Sequence, residues 1–357
     1  MRIESLVFSC IALASAATAQ QTVPPVDSFD FVNTPSGFVY SVSVVSNDGT
    51  VGFGTYLSST APNYQAFRWT KSGGFVSLGA GVGTQVARIR GCDATGSLMV
   101  GEYFTGAPTR PFYWTAATGQ VGFATQDRMM TGLSGVFGVS CGEDTNVGGG
   151  GLLQQLPTGP TVPMPLLPTG TVTHPLGVSA NARFIVGECA TAAVPNGEAF
   201  LFDLFMNLMI PLGAPPAPIS FRDSVANDVS DLGVPVGRWT IIDTFGVARD
   251  RAVVFGAPAL QLDVLPGFGH GTATAISSNG NIVIGECTNG GVTRSFVYDR
   301  RKPQQGVVEA NAFFGGLVPS GWSITALTDV SGDGQVFAGG TTGPGGQTRG
   351  FMARREN

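Results

Sequence analysis

The sequence predicts an all-β fold in which one small antiparallel sheet is repeated around an axis. A pattern of a small-residue strand, an Asn/Asp/Gly turn, an apolar-Gly pair, an aromatic strand and an outer strand recurs seven times along the 357 residues. The 52 glycines, 23 prolines and 12% charged residues suit short buried strands joined by tight turns. A sheet of four short strands cannot bury its own faces, so repeated copies must pack on one another. We therefore predict a seven-bladed β-propeller of four-stranded antiparallel blades.

An apolar residue followed by glycine marks the second strand of each blade. The marker pairs are Phe53-Gly54, Val100-Gly101, Val147-Gly148, Val186-Gly187, Val236-Gly237, Ile284-Gly285 and Ala338-Gly339. The short interval before the fourth pair predicts a loop lost from the third blade, where Leu152-Leu153 replace the aromatic strand. The long last interval contains residues 307–316, for which we predict a brief helix.

The strands on either side of the marker pair differ in composition. Inner strands carry small side chains because they converge on the axis, and the turns after them are rich in Asn, Asp and Gly, which tolerate positive φ. Third strands such as Phe67-Arg68-Trp69 carry alternate aromatic residues, which we expect to fill the space that widens between blades.

The two ends of the chain are predicted to complete one sheet. The seventh blade lacks an outer strand, because the chain ends four residues after Phe351-Met352-Ala353. The segment at residues 28–32 resembles the outer strand at residues 262–265. Pairing of this N-terminal strand with the last blade would leave no exposed sheet edge there.

The N-terminus has the features of a secretory signal peptide. Met1-Arg2 precedes an apolar run at residues 6–14, and Ala17-Thr18-Ala19 offers a small-x-small cleavage site. We predict a signal peptide at residues 1–19 and one propeller domain at residues 20–357. No later segment reaches the roughly 18 apolar residues of a membrane span, so we expect a soluble mature chain that is secreted, periplasmic or at the cell surface.

The charge pattern argues against nucleic acid as a partner. The net charge is −5, and the 19 lysines and arginines are scattered rather than clustered in a basic stripe. No motif calls for a cofactor, and we expect a monomer.

The repeats are similar to those of the HAF-repeat extracellular proteins. The resemblance is carried by Ala66-Phe67-Arg68-Trp69, Ala199-Phe200-Leu201 and the C-terminal repeat from Gly321-Trp322 to Gly339. The family is named for a His-Ala-Phe triplet, and this sequence lacks the histidine in every copy. The resemblance implies an exported bacterial β-propeller and no particular reaction.

Four cysteines follow the predicted signal peptide: Cys92, Cys141, Cys189 and Cys287. The four cysteines could form two disulfides or remain as free buried thiols, and the sequence leaves both alternatives open. Cys189 and Cys287 occupy equivalent positions two blades apart, which is too far for the Cα separation of a disulfide. Cys92 with Cys141 is the more plausible pair.

Five residues are candidates for ligand binding: Arg88, Arg90, Arg222, Asp223 and His270. Arg88 and Arg90 alternate on an inner strand, so their side chains share a face and could bind a carboxylate or sulfate in the central channel. Arg222 and Asp223 occupy similar positions on the inner strand of blade 5. The alternative to ligand binding is that these side chains only line a solvent-filled channel. His174 and His270 lie at offset positions, which disfavours a shared metal site.

Two further patterns have structural interpretations. Glu102 lies eight residues before Arg110, and Glu286 lies eight before Arg294, which predicts cross-strand ion pairs or a charged rim that contacts ligand. The segment from Asp329 to Gly334 imitates the start of a calcium loop, but Gly340 stands where that loop needs glutamate, so we predict a hairpin turn and no metal site.

These observations favour an exported, non-catalytic propeller that binds a glycan, a peptide or an envelope protein through loops on one face. No catalytic set of residues is evident. The alternative is a glycan lyase or hydrolase that uses Asp223, Glu188, Arg88 and His270, and a third option is a structural surface protein. Two carboxylates, or a carboxylate and a histidine, within about 10 Å in one funnel would favour the enzyme.

Overall fold

The structure, a computed structural model, confirms the repeated sheet. It describes residues 27–34, 38–58, 64–79, 85–104, 109–123, 128–135, 138–144, 150–156, 159–216 and 219–356. The strands in these ranges form seven four-stranded antiparallel sheets. The protein is therefore a seven-bladed β-propeller.

The strands follow one another in order from the inside of each blade to the outside. After β1 (Ser28–Val32), blade 1 contains β2 (Phe38–Val45), β3 (Val51–Leu57), β4 (Tyr64–Thr70) and β5 (Gly74–Gly79). Blade 2 contains β6 (Gln85–Cys92), β7 (Leu98–Phe104), β8 (Thr109–Thr115) and β9 (Gly119–Gly122). Blade 3 contains β10 (Arg128–Leu133), β11 (Val139–Asp144), β12 (Gly150–Gln155) and β13 (Thr161–Pro163).

The second half of the chain repeats the arrangement. Blade 4 contains β14 (Gly170–Val178), β15 (Phe184–Thr191), β16 (Glu198–Asp203) and β17 (Leu208–Pro211). Blade 5 contains β18 (Ser220–Val229), β19 (Pro235–Ile242), β20 (Ala248–Val254) and β21 (Leu260–Gln261). Blade 6 contains β22 (His270–Ile276), β23 (Ile282–Asn289), β24 (Val292–Asp299) and β25 (Val308–Glu309), and blade 7 contains β26 (Ser323–Val330), β27 (Val336–Thr342) and β28 (Thr348–Arg354).

The predicted helix is present as α1 (Ala310–Phe314), which a 3₁₀ turn at Gly315–Leu317 extends. It starts at Glu309, the N-cap residue, whose carboxylate accepts the N–H of Ala312. Phe314 is fully buried and packs edge-on against Phe337. Further 3₁₀ turns lie at Pro303–Gln305 and Pro344–Gly346. In the described part of the chain, no helix has the length and apolar character needed to cross a membrane.

Every inner strand carries a β-bulge directly after the residue that faces the marker glycine. The bulged residues are Ser43, Arg90, Thr131, Leu176, Asn227, Thr274 and Thr328. The glycine is required because the inner strand and the third-strand aromatic residue crowd it. A Cβ at Gly101 would lie 2.5 Å from the Arg88 carbonyl oxygen and 2.9 Å from the Phe112 ring.

In blade 3 the marker pair lies at a different position from the predicted one. Its second strand is β11, in which Gly142 faces Met130 before the bulge, so the marker pair is Cys141-Gly142. The predicted pair Val147-Gly148 lies outside the described residues. The error arose because Val-Gly in a glycine run imitates the marker, whereas cysteine is an unusual apolar partner for it. Leu152-Leu153 do lie in the third strand, as predicted.

The chain closes on itself as predicted. β1 pairs antiparallel with β28, from Ser28 opposite Arg354 to Val32 opposite Gly350. The ring of Phe29 stacks on that of Phe351, with centroids 4.7 Å apart. The first strand therefore supplies the outer strand of the last blade and pairs the backbone of β28 that would otherwise form its edge.

The two ends of the propeller differ. At the end where inner strands finish, which we call the turn face, a serine in most blades organises the turn. The Ser277 hydroxyl donates to Asn279 at 2.7 Å and accepts from the N–H of Ile282 at 3.0 Å. Neighbouring turns also bond to each other, as in Asn279 N–H to Gly332 O at 3.0 Å. The opposite end, where inner strands begin and second strands connect to third strands, is the loop face.

The four described cysteines are free thiols, and all are buried. The predicted Cys92–Cys141 disulfide is therefore not formed. Burial raises the pKa of the Cys141 thiol to about 12, which keeps it protonated. These cysteines serve as small core residues.

Candidate functional site

Five polar residues of blades 5 and 6 form a connected group on the loop face, which we call the loop-face network. Its members are Asp223, Arg238, Thr240, Asp250 and His270. Arg238 Nη1 lies 2.9 Å from Asp223 Oδ1 and 3.3 Å from Asp250 Oδ1. The Thr240 hydroxyl is within 2.7 Å of Asp223 Oδ1 and 2.9 Å of Asp250 Oδ1.

The strand order explains why these residues meet. Thr240 on β19 stands opposite both Asp223 on β18 and Asp250 on β20, so the three side chains share one face of the sheet. His270 is the first residue of the next inner strand. Its Nδ1 accepts the backbone N–H of Asp250 at 3.2 Å, which places the ring proton of the neutral imidazole on Nε2.

The network has open hydrogen-bonding groups. Asp250 Oδ1 is occupied by Thr240 and Arg238, whereas Oδ2 meets only His270 Nδ1, at 3.5 Å, among the described residues. The side chains of Asp250 and His270 are each 34% exposed. Among the described residues, Asp250 Oδ2 and the His270 Nε2 donor have no further hydrogen-bond partner, and both belong to partly exposed side chains.

The polar surface continues into blades 3 and 4. His174 Nδ1 lies 2.9 Å from Glu143 Oε1, and this hydrogen bond raises the pKa of His174. Burial raises the pKa of Glu188, which stands opposite His174 in the register. Charges on His174, Arg238 and Asp223 all influence Glu188, so it links the blade 3–4 pair to the loop-face network.

One repeated position supplies much of this surface. The residue after the marker glycine is Thr55, Glu102, Glu143, Glu188, Arg238, Glu286 and Gly340 in blades 1 to 7. Five of these seven are charged, although only 12% of the chain is. The misplaced marker in blade 3 concealed Glu143 and hence the regularity.

The structure brings three of the five predicted site residues together. Asp223 and His270 belong to the loop-face network, and Arg222 is exposed with its Nε 3.6 Å from Asp223 Oδ2. Sequence reasoning missed Arg238, Thr240 and Asp250.

Arg88 and Arg90 lie apart from these residues, in blade 2. Arg90 lines the central channel and pairs with Glu102, with 3.2 Å from Nε to Oε1. Arg88 stands opposite Glu102 and is exposed. Anion binding at this pair remains a prediction.

The predicted ion pairs of Glu102 with Arg110 and of Glu286 with Arg294 are wrong in register. Glu102 stands opposite Pro111, and Glu286 stands opposite Ser295. Because successive residues of a strand point to opposite faces, each arginine lies on the face away from its glutamate. Buried Glu102 is instead neutralised by Arg90.

The central channel holds a cavity of about 310 Å³ lined by the inner strands of all seven blades. Asp228 and Asp329 line it, each directly after a bulge. Burial raises the pKa of each carboxyl group to about 7. No member of the loop-face network lines this cavity.

The hairpin turn between β19 and β20 follows Thr240 and precedes Asp250 along the chain. Its tip residue, Phe245, is 88% exposed. Asp243 Oδ1 accepts the N–H groups of Phe245 and Val247, both at 2.9 Å, and Asp243 Oδ2 pairs with Arg249. These bonds hold an aromatic ring at the surface on a fixed turn.

Among the residues with described positions, no group of three or more His, Cys, Asp or Glu is arranged to hold a metal ion. In the segment from Asp329 to Gly334, the first two residues end β26 and the rest form the hairpin turn to β27, as predicted.

Comparison with known proteins identifies the fold class. No family model and no curated protein matches the sequence. Among solved structures, the β-propeller domain of the Trilobed protease from Pyrococcus furiosus superposes with a TM-score of 0.58 at 8% identity, over 89% of this chain and 97% of that one. The Cps50 (Swd1) β-propeller domain from Myceliophteria thermophila superposes with a TM-score of 0.53 at 10% identity, over 92% of this chain and 99% of that one. Pyrococcus horikoshii acylaminoacyl peptidase superposes with a TM-score of 0.53 at 8% identity, over 89% of this chain and 52% of that one.

These similarities define the chain as a β-propeller protein. At such low sequence identity they show the fold alone. The Pyrococcus furiosus domain has an open velcro topology. In this chain, by contrast, β1 completes the last blade.

Proposed function

We propose that this chain is an exported, non-catalytic binding protein whose loop face over blades 4 to 6 is the ligand-binding surface. The observation that carries the proposal is the loop-face network, where Asp250 and His270 present an unused acceptor and donor to solvent. Partly exposed, pre-positioned polar groups on rigid strands are what a binding surface requires.

The shape of the site favours binding over catalysis. Arg238 and Thr240 hold Asp223 Oδ1 and Asp250 Oδ1, which gives these two oxygens a structural role. None of the network residues lines the channel cavity. Hydrolytic or lyase chemistry gains from a site that excludes water, and the channel cavity lies elsewhere, around the axis.

The enzyme alternative keeps two specific observations in its favour. Asp250 Oδ2 and His270 Nδ1 are 3.5 Å apart, and Glu143 Oε1 and His174 Nδ1 are 2.9 Å apart, so both pairs lie within the roughly 10 Å expected of a carboxylate and a histidine. If the protein is a glycan lyase or hydrolase, substrate turnover will be lost in Asp250→Asn and His270→Gln variants. Binding without turnover supports the proposal instead.

Export and membership of the HAF-repeat family belong to the same proposal. The signal peptide lies in residues 1–19, outside the described residues, and the repeat resemblance rests on sequence. N-terminal sequencing of protein from the culture medium or periplasm tests export, with Gln20 expected as the first residue.

A binding screen tests the function. The mature chain is applied to glycan and peptide arrays beside Asp250→Asn and, as a matched control, Asp263→Asn, which changes an exposed carboxylate outside the network. We expect the wild type and the control to bind the same features, and Asp250→Asn to lose about tenfold or more. Equal binding by all three proteins would contradict the proposed surface.

A further inference from the structure

The charged groups of the loop-face network are engaged with one another. Arg238 bridges Asp223 and Asp250, and Arg222, which lies outside the network, has its Nε 3.6 Å from Asp223 Oδ2. His270 is neutral when its Nδ1 accepts the Asp250 N–H. The nearby hairpin contains a further ion pair, between Arg249 and Asp243. Most charged groups here are therefore paired within the chain.

The open groups have a specific chemistry. Asp250 Oδ2 accepts hydrogen bonds, and His270 Nε2 donates one. An ammonium ion would satisfy the carboxylate and leave the imidazole N–H without an acceptor. An anion would accept the imidazole N–H, and the Asp250 carboxylate would repel it. A hydroxyl group can donate to Asp250 and accept from His270, because it has both functions.

We propose that the ligand is a neutral saccharide, whose adjacent hydroxyl groups bind Asp250 Oδ2 and His270 Nε2 and whose ring packs on Phe245. The apolar face of a pyranose suits an exposed aromatic ring, and Phe245 is held at the tip of its hairpin by Asp243. This inference rests on the proposed function and names the class of ligand for the same surface.

The supporting residues fix the geometry. Arg251 Nη1 donates to the Gly269 carbonyl at 2.6 Å, which ties β20 to the start of β22 beside His270. Thr240 and Arg238 hold Asp250 from the other side. The donor and the acceptor are thus positioned before a ligand arrives, which lowers the entropic cost of binding.

Saturation-transfer NMR tests the ligand class. Maltose, cellobiose and laminaribiose at millimolar concentration are the neutral probes, and trilysine and trigalacturonate are the charged ones. We expect transfer to at least one neutral probe, reduced about fivefold or more in Asp250→Asn and in Phe245→Ala. Asp263→Asn should match the wild type. Phe245→Ala keeps the test valid if Asp250→Asn fails to fold, because residue 245 is exposed.

Two results would overturn the inference. One is no transfer to any neutral probe, and the other is transfer that Phe245→Ala and Asp250→Asn both leave unchanged. Transfer to trilysine or trigalacturonate alone, lost in Asp250→Asn, would overturn the neutral saccharide and leave a binding function at this surface. The failures of the ligand class and of the proposed function are therefore distinguishable.

Discussion

The carboxylate of Asp329 accepts the backbone N–H of Val45 at 2.7 Å, which joins the last blade to the first. Asp228 does the same between blades 5 and 6, where it accepts the N–H of Ile276 at 2.8 Å. Both aspartates follow a bulge in an inner strand and line the channel. Two carboxyl groups in the interior therefore hold neighbouring blades together.

These carboxyl groups predict a dependence of stability on pH. Burial raises the pKa of both to about 7, and the negative charges of Asp231 and Asp228 add to the effect on Asp228 and Asp329 respectively. Between pH 4 and pH 7 the unfolded chain releases these protons and the folded chain retains them. The free energy of unfolding should therefore fall as pH rises, by up to about 1.4 kcal/mol per pH unit for each group.

Urea denaturation at several pH values measures this slope. Asp329→Asn removes one titrating group and should make the slope shallower, whereas Asp263→Asn should leave it unchanged. A slope that is the same in the wild type and Asp329→Asn would contradict the assignment.

The closing strand predicts a difference between two phenylalanines near the N-terminus. Phe29 stacks on Phe351 within blade 7, while Phe38 is 63% exposed. Phe29→Ala should lower the free energy of unfolding by about 2 kcal/mol, and Phe38→Ala should change it by less than about 0.5 kcal/mol. Chemical denaturation compares the two variants. Deletion of residues 26–33 should lower the free energy of unfolding by more than either substitution does. Equal effects would show that β1 does not complete the blade.

The register of blade 2 predicts which arginine is coupled to Glu102. Glu102 is 3% exposed and pairs with Arg90, while Arg110 points to the opposite face. Glu102→Gln should cost about 1–3 kcal/mol of unfolding free energy. A double-mutant cycle should give a coupling near 1 kcal/mol for Arg90 with Glu102 and close to zero for Arg110 with Glu102. The reverse pattern would contradict the register.

The cysteines predict a simple chemical result. All four described thiols are buried, and burial raises the pKa of Cys141 to about 12 and that of Cys287 above its usual range. A thiol reagent at pH 8 should label none of the four in the folded mature chain and all four in denaturant. Fewer than four thiols in denaturant would reveal a disulfide.

The sequence predicted the architecture well because the repeat is periodic and its constraints are local. The marker glycines are crowded by the adjacent strand and ring, and the turns need residues that tolerate positive φ. Blade 3 was the exception, since Cys141-Gly142 departs from the pattern that the other blades follow.

The site was harder to predict because its residues meet only through the register. Asp223, Thr240 and Asp250 lie on three strands of one blade, and bulges decide which residues stand opposite one another. No spacing rule reveals that Asp250 faces Thr240. The charged residue after each marker glycine was a usable signal, once the blade 3 phase is corrected.

The position of a bound ligand tests the central claim most directly. A crystal structure of the mature chain with a ligand that the arrays select should show it within hydrogen-bond distance of Asp250 Oδ2 and His270 Nε2, against Phe245. A ligand in the central channel beside Asp228, or on the turn face beside Ser277, would contradict the account.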